Sequence, residues 1–153
     1  MKVDTRVFGE IDIEDEKSIF FEQGIIGFPN LQNFALIYNS EKEKKGAISW
    51  LQSLDEPTFA LPVMDPLTMC PDYNPQVEDE LLKPLGELTE DNLFVLVTVT
   101  VPQNIEEIAI NLKAPIVINS VTRRAGQVIV EDDYPVKYKI YDKIKEAKGK
   151  VGE

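Results

Sequence analysis

Apolar and polar positions alternate over short runs in this chain, and the runs are bounded by Gly, Pro and Asp. The elements they predict are strands. Val3-Asp4-Thr5-Arg6-Val7 alternates at period two, and Gly9-Glu10 separates it from Ile11-Asp12-Ile13, which predicts a hairpin. Ser18 to Phe21 reads as a strand, and Gly24-Ile25-Ile26-Gly27-Phe28-Pro29 as a glycine-punctuated turn or bulge. Phe34 to Tyr38 predicts a short buried strand. Asn39 to Gly46 carries five charges and predicts an exposed loop. Ala47 to Leu54 and Phe59 to Met64 predict strands joined by the turn Asp55-Glu56-Pro57. Leu93 to Thr100 is rich in Leu, Val and Thr and predicts a long strand that Pro102 closes.

The most informative stretch lies further on. Asn111 to Asn119 reads NLKAPIVIN, with the β-branched run Ile116-Val117-Ile118 inside it. Thr122 to Gly126 supplies turn chemistry, Val128-Ile129-Val130 returns, and Glu131-Asp132-Asp133-Tyr134-Pro135 ends the run. The pattern predicts a second hairpin. Helix signals are few. Pro75 followed by Val77 and Glu78-Asp79-Glu80-Leu81-Leu82 resembles a helix start with acids near its positive end, limited to about two turns by Pro84 and Gly86. Ile105 to Ala109 predicts another turn. From Lys137 onward six lysines meet three acids, with Ile140 and Ile144 at i, i+4, which predicts a weak amphipathic helix. The expected fold is mainly β: one compact antiparallel barrel-like domain over residues 1–140, one or two short helices, and a Lys-rich tail over 141–153 that forms a frayed helix.

With 153 residues and 43% hydrophobic content the chain has enough apolar material for one full core. Its single cysteine, Cys70, excludes an intramolecular disulfide and fits a reducing compartment. The N-terminus has no apolar signal region, and the apolar run Leu93 to Val101 is too short to span a bilayer. A soluble cytoplasmic protein with no membrane contact is expected. The formal charge of −11 argues against direct nucleic-acid binding, which needs clustered Lys and Arg. The acid is uneven: Asp65 to Asn92 holds eight Asp or Glu against the single Lys83. Such a field either only solubilises a face or steers basic partners.

The chain has no histidine, no cysteine cluster and no phosphate-binding glycine loop. That removes the commonest general base, a structural zinc site and nucleotide motifs. Cys70 has no histidine to activate it and reads as a small buried or half-buried apolar residue. Asp65 and Asp72, each next to a proline near a strand end, leave open a carboxylate-based hydrolase of β fold. Asp12 to Glu16 has the acid density of a calcium site without its glycine or spacing. Trp50 reads as core or rim packing rather than a stacking platform. No cofactor or metal is expected.

Several stretches carry a resemblance in order along about 130 residues. They are Thr5-Arg6-Val7-Phe8-Gly9-Glu10 with Gly24 to Pro29; Trp50-Leu51-Gln52-Ser53-Leu54-Asp55-Glu56-Pro57; Asp65-Pro66 with Pro71-Asp72-Tyr73; and Asn111 to Asn119 with Tyr134-Pro135-Val136. On these the chain resembles the flagellar assembly factor FliW family, with Lys137 where the family is associated with an arginine. The resemblance implies a barrel-like β domain and a non-enzymatic role. It implies binding of cytoplasmic flagellin, and binding of CsrA, an RNA-binding repressor of flagellin translation, by a protein that is a monomer when free. When export depletes flagellin, the freed protein would antagonise CsrA and lift repression. CsrA must be basic where it grips RNA. The acidic segment therefore supplies the expected protein-binding residues: Asp72, Glu78, Asp79 and Glu80 to steer, and Tyr73 to pack. The fallback positions are Arg123-Arg124 and the Glu131–Tyr134 turn. Flagellin's amphipathic helices call for an apolar groove.

Overall fold

The structure, a computed structural model, describes residues 2–5, 9–12, 17–37 and 48–145. The loop expected at 39–46, the acidic run after Asp12 and the end of the Lys-rich tail lie outside the described residues.

Eleven strands form among them: β1 (Lys2–Thr5), β2 (Gly9–Asp12), β3 (Ser18–Phe21), β4 (Asn33–Ile37), β5 (Ser49–Ser53), β6 (Ala60–Met64), β7 (Leu93–Thr100), β8 (Ala109–Ile110), β9 (Ile116–Asn119), β10 (Arg124–Gln127) and β11 (Tyr138–Lys139). β1 and β2 pair as the expected hairpin. The main sheet runs β7-β6-β5-β4-β3-β10-β9 and returns to β7, so seven strands close into a barrel. Every neighbour around it is antiparallel except β3 and β10, which pair in parallel through Phe20–Arg124 and Phe21–Ala125. Closure leaves the sheet without long free edges.

Period-two alternation fills the barrel. Ile19 and Phe21 of β3, Phe34 of β4, Leu51 of β5, Val63 of β6, Ile116 and Ile118 of β9 and Ala125 of β10 share one core. Phe21 and Phe34 meet edge-on with centroids 5.1 Å apart. Each of the larger side chains, Val, Leu, Ile or Phe, contributes about 1.5–3 kcal/mol on burial. A second core lies outside the barrel wall, where Met64, Val97, Val99, Ile110 and Leu112 are covered by Met69, Tyr73 and Ile140. Residues 141–145 are helical, and Tyr141 and Ile144 pack on this second core.

The expected second hairpin is real but shifted. Its first strand, β9, contains the expected Ile116–Ile118, but its second is β10 rather than Val128–Val130. The Asn119 carboxamide oxygen accepts from the Val121 and Thr122 amides, and its nitrogen donates to the Leu85 and Glu87 carbonyls. That pins the turn to 120–123, and Arg123 completes it at φ 61. The strand then starts at Arg124. Val128 and Val130 only donate singly, to Pro115 and Lys113. Helix is as scarce as expected. α1 (Asp79–Leu82) begins later than Pro75 suggested, and a 3-10 turn at Lys83–Leu85 follows it.

β8 and β9 both pair with β7 but out of step. Continuing the β9 register would set Val99 against Lys113, yet Val99 faces Ile110. The three extra residues bulge out as a loop at 111–115. The Asn111 side chain holds it by accepting from the Lys113 and Ala114 amides.

Candidate protein-binding site

β6 ends at Met64 because Asp65-Pro66 turns the chain away. The Asp65 carboxylate accepts from the Leu67 amide and caps a 3-10 turn at Pro66–Thr68. The chain then crosses the second core as a strap, residues 65–77, before α1 begins. Four bonds in a small polar knot hold the strap. The Tyr73 hydroxyl donates to the Leu112 carbonyl at 2.6 Å, and the Tyr134 hydroxyl accepts from the Asn74 amide at 3.0 Å. Asp132 Oδ1 accepts from the Gln76 amide at 2.9 Å, while Lys113 Nζ donates to the Asp132 carbonyl at 2.7 Å. The rings of Tyr73 and Tyr134 meet edge-on at 4.6 Å. Burial, with added repulsion from Tyr134, Asp132 and Cys70, pushes the Tyr73 hydroxyl well above its ordinary range. The knot joins the strap to the 111–115 loop and to the turn near Tyr134.

This assigns Tyr73 a place different from an interface contact. It is 7% exposed and its hydroxyl is bonded internally, so it positions the strap rather than meeting a partner. Asp72, Glu78, Asp79 and Glu80 are exposed around it. Asp65 is occupied as a cap, and Asp72 lies exposed four residues past that turn. Cys70, within the strap, is half-buried against the second core. Trp50 is half-buried in β5, opposite Ile37 and Pro62. Arg123 is half-buried and donates to the Lys17 carbonyl at 2.6 Å, helping to close the barrel, while Arg124 lies over the Phe20 ring at 5.5 Å. No group of three or more His, Cys, Asp or Glu among the described residues is placed to hold a metal.

Two grooves flank the 111–115 loop. The larger, about 900 Å³, runs between the strap and the first half of β7. Met64, Asp65, Leu67, Val77 and the run Leu93-Phe94-Val95-Leu96 line it. Leu67 and Phe94 are 51% and 52% exposed. The smaller, about 530 Å³, lies along the second half of β7 and is lined by Ile26, Phe28, Lys113, Gln127, Ile129 and Val136. The Gly24–Pro29 segment and the NLKAP segment meet there, through Ile26 N to Gln127 Oε1 and Gln127 Nε2 to the Ala114 carbonyl. Sequence reasoning found the acidic stretch and the strand Leu93–Thr100 but not the exposure of the strand's first residues. The signal for exposure was their position directly after the acidic turn Glu90-Asp91, where a strand enters the barrel from solvent.

These elements define a small closed β-barrel whose described surface offers open, apolar grooves, the larger one flanked by acid. The chain belongs to the FliW family: it matches the family described as FliW protein over residues 2–140. It is 43% identical over 155 residues to the flagellar assembly factor FliW of Lachnoclostridium phytofermentans, covering 100% of this chain and 99% of that one. It is 48% identical over 147 residues to that of Lachnospira eligens, covering 95% and 97%. A solved structure described as the crystal structure of the flagellar assembly factor FliW superposes with a TM-score of 0.83 at 30% identity, over 92% of this chain and 97% of that one.

Proposed function

We propose that the chain is a cytoplasmic flagellar assembly factor that binds flagellin and, when flagellin is scarce, binds CsrA and relieves its repression of flagellin translation. It works by occupying surfaces and assigns no catalytic step. The observation that carries the reading is the similarity to flagellar assembly factors along essentially the whole chain. The acid around the larger groove supports the CsrA arm, because an RNA-gripping protein presents positive charge and opposite fields raise the association rate. Asp72, Glu78, Asp79 and Glu80 supply that field, and Tyr73 holds the strap that presents it. The two grooves, with one loop between them, give the partners neighbouring seats that share the polar knot.

The test is a gel-shift assay in which the chain is titrated into CsrA bound to flagellin-leader RNA. RNA release is expected, and added flagellin should reverse it. RNA that stays bound at every concentration overturns the reading. Neutralising Glu78, Asp79 and Glu80 together to their amides should slow CsrA association at low salt, and the difference should shrink at high salt.

A further inference from the structure

Among the described residues, part of β7 has no strand beside it on one side. β7 is paired with β9 along Leu93–Leu96 on one side, whereas on the other side β6 reaches only Val97 and Thr98. After Met64 the chain leaves as the strap. Among the described residues, the backbone of Phe94–Leu96 forms no hydrogen bond outside its ladder with β9. The vacated line is the floor of the larger groove, where Met64, Asp65, Pro66 and Leu67 face Leu93–Leu96. A strand that ends early beside a neighbour that continues leaves amide and carbonyl groups aimed at an empty lane. Such a lane is a template for another segment.

We propose that this lane accepts an extended basic segment of a partner protein, which pairs with Phe94–Leu96 in the line that β6 gives up. The inference rests on the reading of the chain as a protein-binding factor and adds the mode of recognition. Backbone pairing supplies the register; one alternate set of guest side chains lies beside Leu93 and Val95 on the face of Leu67, and the other set lies beside Phe94. The outward set meets Asp65, the Glu78–Glu80 run and Glu90-Asp91. Charge decides the occupant. A second copy of this chain would bring net charge −11 against the same acids, so the acids act as gatekeepers against self-pairing. A guest carrying lysine or arginine at alternate positions gains where a second copy is repelled.

The probe is a blocked hexapeptide of alternating lysine and valine, with binding followed by fluorescence anisotropy and by amide chemical shifts of the full chain. Binding is expected, with the largest shifts at Phe94–Leu96. The same peptide with alternate N-methylated amides should bind about tenfold weaker, since methylation removes the backbone donors that would pair with the lane. A glutamate–valine peptide should not bind. Phe94→Lys, on a half-exposed side chain, should weaken the peptide, whereas Ile129→Lys in the smaller groove should not. Equal affinity for the N-methylated peptide overturns the proposal. So does tighter binding of a helical leucine–lysine peptide of equal charge, or shifts centred on the smaller groove. If CsrA and flagellin bind while the peptide does not, the lane falls and the function stands. If the peptide binds and neither protein does, the function falls and the lane stands.

Discussion

Removing one oxygen tests the strap. Tyr73→Phe keeps the ring against Tyr134 and deletes only the hydroxyl that donates to the Leu112 carbonyl at 2.6 Å. The bond is buried, so its loss leaves that carbonyl poorly satisfied and costs about 1–2 kcal/mol. For a chain of this size that lowers Tm by roughly 2–8 °C. The same energy should raise the population of a locally opened strap by a factor of about 5–30. Cys70 reports that opening, because it is the single cysteine, is half-buried and accepts from the Tyr73 amide. Exchange of its thiol with a small aromatic disulfide should therefore accelerate in the variant by about the same factor. The pH dependence carries a sign. Burial holds the folded hydroxyl above its ordinary value of 10.0, while the unfolded tyrosine ionises there. Tyr73's contribution is thus complete below about pH 10 and declines as pH rises further, so wild type and variant should converge in alkali. Unchanged Tm together with unchanged Cys70 reactivity would refute the claim that this bond holds the strap.

Three further outcomes follow from single side chains. Gly24→Ala should unfold the chain or cost well over about 3 kcal/mol, because at φ +68 the new Cβ meets Phe28 O and Pro29 backbone at 2.6 Å; Gly27→Ala, at φ +89 in open space, should cost about 1–2 kcal/mol, and urea midpoints compare them. Asp55 loses some affinity for charge to burial, but bonds from Asn33 and Gln32 outweigh this and hold its carboxyl below the usual range. Its stabilisation is present above the unfolded value and lost as pH falls through the folded one, so acid titration of Asp55→Asn should show a shallower loss of stability below about pH 4. Asn119→Asp replaces a buried donor to Leu85 and Glu87 with an oxygen, and a loss of at least about 3 kcal/mol is expected by chemical denaturation.

Much of the barrel was legible because alternation marks a wall with one face inside. The first hairpin came directly from that pattern, and Leu93–Thr100 from its run of Leu, Val and Thr. β8 and β11 were not legible. Two residues each are too few for a period, and only the partner strand makes them strands. The second strand of the second hairpin was misplaced because apolar Val128–Val130 looked like a strand, while the side chain of Asn119 set the turn at 120–123 and the returning strand starts four residues earlier, at Arg124. Tyr73 showed the same limit. Its neighbours Pro71, Asp72 and Asn74 mark a surface segment, and nothing local reveals that its ring turns inward toward Leu112, 39 residues away. The acids were read in place, but the groove they flank exists only because β6 stops before β7 does.

The parallel seam between β3 and β10 sets the order of events on the ribosome. Arg123 reaches back to Lys17 across 106 residues, so the ring cannot shut until β10 has left the exit tunnel. At about 5–20 residues per second, β3 stays unmatched for roughly 5–20 s after its own synthesis. During that interval β3 to β6 stand as an open meander with an unsatisfied flank at β3, the stage at which a nascent chain is most exposed to aberrant pairing. Ribosome-bound chains ending before Arg124 should therefore be digested readily by protease, and chains long enough to expose Gln127 should turn resistant in one step.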